Sequence, residues 1–92
     1  MLTRLNYELA LSQAKQLDSA STECTEAVNE VNRQIALIQE NWTGEAATAM
    51  VDKLSAWVKE TTTMAETLTT LAKRVKQKAD LLIAIDEKES KK

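Results

Sequence analysis

Ninety-two residues contain one glycine and no proline. Strong helix breakers are therefore almost absent, and Gly44, near the midpoint, is the natural place for the chain to turn back. Glycine reaches positive φ without steric cost and is the usual residue just past a helix C-terminus. The neighbouring Trp42 is a large apolar group that a hairpin tip can use as a plug. The tripeptide Trp42-Thr43-Gly44 thus predicts two long helices folded back at Thr43-Gly44.

The apolar pattern on either side supports this. Steps of three and four from Ala47 meet Met50, Leu54, Trp57, Thr61, Met64, Leu68, Leu71, Val75, Lys78, Leu82 and Ile85, and only Thr61 and Lys78 are not apolar. Such sustained spacing marks a helix packed in a bundle or coiled coil. A flanking line of Val51, Val58, Ala65, Ala72 and Ala79 widens the stripe beyond a two-stranded seam and suits a helix with more than one neighbour. Stepping back from Trp42 meets Ile38, Ile35, Val31, Val28, Cys24, Ser21, Leu17, Ala14, Ala10, Tyr7 and Thr3. Ala20 and Ala27 widen that stripe. The pattern predicts helices over about 3–41 and 45–87, a turn at 42–44 and a frayed charged tail at 88–92.

Asp18 to Thr22 is the weakest helical stretch, because short polar side chains compete for backbone hydrogen bonds, and a kink is expected there if anywhere. Leu2, Leu5 and Leu9 fall outside the frame of the first helix. They fit local packing near a chain end or a second contact surface for a partner. In a hairpin folded at Gly44, Tyr7 comes to lie near Leu82. The threonine-rich patch of Thr62, Thr63, Thr69 and Thr70 reads as solvated.

A chain of this length makes one domain at most, and two helices side by side enclose no core. The expected fold is all-α: an antiparallel two-helix hairpin that completes a four-helix bundle on dimerisation. The bundle interface is predicted at Val28, Val31, Ile35, Ile38, Met50, Leu54, Trp57, Met64, Leu68, Leu71 and Val75. A net charge of −2 argues against a nucleic-acid partner. With charged residues at 28% and hydrophobic ones at 43%, the chain reads as folded rather than disordered. No apolar run approaches the ~20 residues of a membrane span, and Arg4, Asn6 and Glu8 interrupt the first ten residues, unlike a cleaved signal peptide. Synthesis in the cytoplasm is expected, with any export by a route that needs no such signal.

Residues for catalysis are lacking. One cysteine and no histidine exclude an intrachain disulfide and make a protein-only metal site improbable, and no cofactor is expected. Cys24 lies in the helical frame and reads as a small buried hydrophobe. There is no glycine-rich phosphate loop. The basic run Lys73, Arg74, Lys76 and Lys78 is followed by acids and reads as a solvated face. The sequence points to a non-enzymatic protein.

An all-helical chain of about this length, with Trp-x-Gly at its mid-chain turn, resembles the WxG family of small secreted proteins. These are the early-secreted-antigen-like substrates of type VII secretion in Gram-positive bacteria and mycobacteria. The resemblance covers essentially the whole chain. It implies a dimerising hairpin that serves as cargo or adaptor for a membrane ATPase, with Trp42, Thr43 and Gly44 as the recognition tip. The partner implied is a second copy or another helical chain, such as the N-terminal domain of an LxG-type toxin. The family's second motif is an aromatic residue, three of any kind, then an acid. No aromatic follows Trp57. The nearest match is Leu82 with Asp86, leucine standing in the aromatic place, and Ile83 with Glu87 is a weaker one.

Overall fold

The computed structural model describes residues 4–90. They form two α-helices, α1 (Arg4–Asn41) and α2 (Glu45–Ser90), and contain no strand. The chain is an all-α helical hairpin. α1 runs through Asp18 to Thr22 without a break. α2 continues past Glu87, where the sequence suggests fraying, as nothing there stops a helix and Lys88 sits favourably in its last turn. Thr3 and Leu2 lie outside the described residues.

Contacts divide the chain into two compact units, Met1–Ala20 with Thr67–Lys92 and Ser21–Glu66. In the second, Ser21, Cys24, Val28, Val31, Ile35 and Ile38 of α1 and Ala47, Val51, Leu54, Val58, Thr61 and Ala65 of α2 are the buried or half-buried positions that make the seam. Ser21, an apparent exception to the apolar frame, is buried, and its hydroxyl donates to the Ala65 carbonyl at 2.7 Å. In the first unit, Tyr7, Ala10, Ala14 and Leu17 of α1 and Leu68, Ala72, Val75, Ala79 and Ile83 of α2 are buried or half-buried.

The α1 stripe is thus the seam that its spacing predicts, except that Ala27 and, at the tip, Trp42 are exposed. The α2 stripe is divided. Leu54, Leu68 and Val75 point inward, whereas Met50, Trp57, Met64 and Leu71 are exposed and the flanking line Val51, Val58, Ala65, Ala72 and Ala79 takes their place in the seam. The physical reason is size. Alanine and valine let two helices approach closely, while a line of tryptophan, methionine and leucine would hold them apart.

Candidate functional site

The tip is built from the break between helices. The Trp42 amide donates to Ile38 O at 2.8 Å, the last bond of the α1 ladder, and Asn41 Nδ2 donates to Leu37 O at 2.8 Å. Gly44 then takes φ 100°. Its carbonyl accepts from the Thr48 amide at 3.2 Å and from Thr48 Oγ1 at 3.3 Å, so Gly44 opens α2 as well as closing the turn. Glu45 adds a carboxylate in the first turn, where the helix dipole favours it.

Trp42 does not plug the tip. It is 56% exposed, because α1 ends at Asn41 and releases the next side chain from the seam. With Ile38, Gly44, Ala47, Val51 and Asp52 it lines a groove of about 340 Å³.

A second constellation joins the chain ends within the other unit. The Tyr7 hydroxyl donates to Asp80 Oδ1 at 2.6 Å. Arg4 lies over the Tyr7 ring, 5.4 Å from its centroid, and its guanidinium is 3.8 Å from Glu87 and 3.7 Å from Glu8. The Asp80 hydrogen bond, more than anything else, raises the Tyr7 pKa above its ordinary 10.0. Sequence spacing placed Tyr7 near Leu82; its bonded partner lies slightly earlier in α2. Asp80 carries no signal that would have singled it out, being one of several carboxylates at polar positions.

Leu82 and Asp86 differ in setting. Leu82 is exposed and lines an apolar groove of about 340 Å³ with Ala10, Val75 and Ala79, with Arg74 and Lys78 at its edge. Asp86 is half-buried and engaged in an interaction of its own. Leu5 and Leu9 stand exposed on α1, and Cys24 is half-buried in the seam. Thr62, Thr63 and Thr70 are exposed, while Thr69 is half-buried. Among the described residues no cluster of three or more acidic, Cys or His side chains is placed to hold a metal ion. No described helix is long and apolar enough to cross a membrane.

The fold and tip define a class: a two-helix hairpin whose only turn among the described residues is Trp-x-Gly, with its tryptophan presented to solvent. The family model described as "proteins of 100 residues with WXG" matches residues 3–87, and the chain belongs to this WXG100 family. No curated protein and no solved structure gives a match. The family is one of type VII secretion and its members are non-enzymatic, typically forming helical dimers.

Proposed function

We propose that this chain is a type VII secretion substrate that acts by pairing its hairpin with another helical chain and leaves the cytoplasm by the type VII route. The observation that carries the reading is the exposed apolar line of α2. Trp57, Met64 and Leu71 stand exposed at helical spacing on a chain that belongs to a secretion family of helical dimers. In this reading the exposed Trp42 and the Gly44 turn present a recognition tip to the secretion ATPase. Leu82 and Asp86 near the end of α2 contribute a second recognition element.

The test is export. The chain is expected in the culture medium of cells that have the type VII ATPase and inside cells that lack it. Trp42→Ala and Asp86→Ala should reduce export while leaving the protein helical. Equal release with and without the ATPase would overturn the proposal and favour a helical scaffold unrelated to secretion. A second reading, an adaptor paired with the N-terminal domain of an LxG-type toxin, draws support from the exposed Leu5 and Leu9. Co-purification of that domain with the chain, lost in Leu5→Ser/Leu9→Ser, is its test.

A further inference from the structure

We propose that the groove between Ala10 of α1 and Val75, Ala79 and Leu82 of α2 is a binding site for a fatty-acid anion, its single acyl chain lying along the apolar floor and its carboxylate held by Arg74 and Lys78. The site lies wholly within one compact unit, Met1–Ala20 with Thr67–Lys92. It requires neither a second protein chain nor the secretion reading.

Shape and lining supply the first argument. The groove is about 340 Å³, and apart from Arg74 and Lys78 every residue that lines it is apolar. Ala79 is buried, Ala10 and Val75 are half-buried, and Leu82 is exposed, so small side chains make the floor and a leucine makes one wall. Clefts between helices, mostly apolar with a few polar groups, are common small-molecule sites, and their volumes run from about 300 to 1,000 Å³. This groove stands at the lower end, which suits one acyl chain rather than two.

Charge supplies the second. The chain carries a net charge of −2, yet residues 73–78 hold Lys73, Arg74, Lys76 and Lys78 and no acid. Arg74 and Lys78 are four residues apart, so two like charges share one helix face, an arrangement that weakens a helix. The other positions three or four residues from either cation are Thr70, Leu71, Val75, Gln77, Leu81 and Leu82, and none is acidic. Both cations are exposed, and among the described residues neither has an ion-pair partner. Asp80, the next acid along α2, is committed to the Tyr7 hydroxyl. An anion at the groove edge relieves the repulsion of the pair. Arginine offers a planar fork matched to a carboxylate, and lysine adds a point charge beside it. An apolar floor with two unneutralised cations at its rim is complementary to a ligand with one apolar tail and one anionic head.

The test is calorimetric titration of the purified full-length chain with monomeric dodecanoate. Saturable one-to-one binding is expected. Decanoate should bind between about fourfold and fifteenfold more weakly, as half or full burial of the two missing methylenes requires. Arg74→Gln/Lys78→Gln keeps good helix formers and removes the like-charge contact, so the variant stays folded. It should weaken dodecanoate binding by about fivefold to tenfold, the scale of two exposed ion pairs. Leu82→Gln should also weaken it, whereas Lys53→Gln/Lys59→Gln, which removes two exposed cations of α2 far from the groove in sequence, should leave it unchanged. Dodecyltrimethylammonium, with the same tail and the opposite charge, should not compete. Absence of saturable binding, the result expected if a helical partner or a second copy fills the groove instead, overturns the proposal. So does equal binding of the cationic amphiphile, or an equal loss in Lys53→Gln/Lys59→Gln. Binding to phosphatidylglycerol vesicles without binding to monomeric dodecanoate also overturns it and makes the basic run a membrane-surface contact. Neither ATPase nor partner chain enters the measurement, so its failure leaves the secretion reading intact, and ATPase-independent release leaves the titration standing.

Discussion

At the residue scale, Gly44 and Tyr7 are the positions where single atoms decide most. A Cβ added at Gly44 would meet nothing within 4 Å, so the cost of substitution there comes from φ 100° alone. Gly44→Ala is expected to destabilise the protein by about 1 kcal/mol or more, read as a lower urea midpoint with unchanged slope. Tyr7 gives a second prediction. Its hydrogen bond to Asp80 holds the phenol protonated, which raises the pKa. The neutral phenol is the bonded form, so the contribution is complete below the unfolded pKa of about 10 and is lost as pH rises through the higher folded value. An alkaline titration followed by tyrosinate absorbance should place the Tyr7 midpoint above that of the unfolded chain, and Asp80→Asn should lower it. Coincident midpoints in wild type and Asp80→Asn would show that the bond does not form in solution.

At the scale of the helices, the periodicity located both elements and most of the α1 seam, because each step of three or four falls on one face of a helix. It could not choose between two adjacent apolar lines in α2. The line with Trp57 and Met64 is the more hydrophobic, but the line with Ala65, Ala72 and Ala79 permits closer approach and forms the seam. Spacing reports which face is apolar and not which neighbour covers it. The same limit hid the groove at Leu82, whose apolar walls come partly from Ala10 on α1, while the basic run beside it is exposed, as the sequence suggests. Ser21 tests the close packing directly. Ser21→Ala removes one hydrogen bond and leaves no buried donor, so a loss of about 1 kcal/mol is expected. Ser21→Leu inserts a bulky group where the helices approach closely, and a cost of about 1–3 kcal/mol is expected. Urea denaturation should rank the two in that order; the reverse order would mean that the hydrogen bond, not close approach, governs this part of the seam.

For the molecule as a whole, the decisive quantity is how little of it is enclosed. The buried apolar side chains are Ala14, Val28, Ala47, Ala65, Ala72 and Ala79, five of them alanine, and among the described residues no side chain is fully buried. Alanine removes little apolar area from water, so the seam specifies how the helices approach but supplies modest stabilisation. The larger groups, Trp57, Met64, Leu71, Leu82 and Ile85, remain at the surface of a single chain. If the chain pairs with another helix through them, as proposed, their hydrophobic contribution is realised on association, and stability then depends on concentration by mass action. A melting temperature followed by circular dichroism should rise by about 3–5 °C for each tenfold increase in protein concentration. A melting temperature unchanged over a hundredfold dilution would mean that the alanine seam alone holds the hairpin, and that the exposed line of α2 contributes to recognition without contributing to the fold.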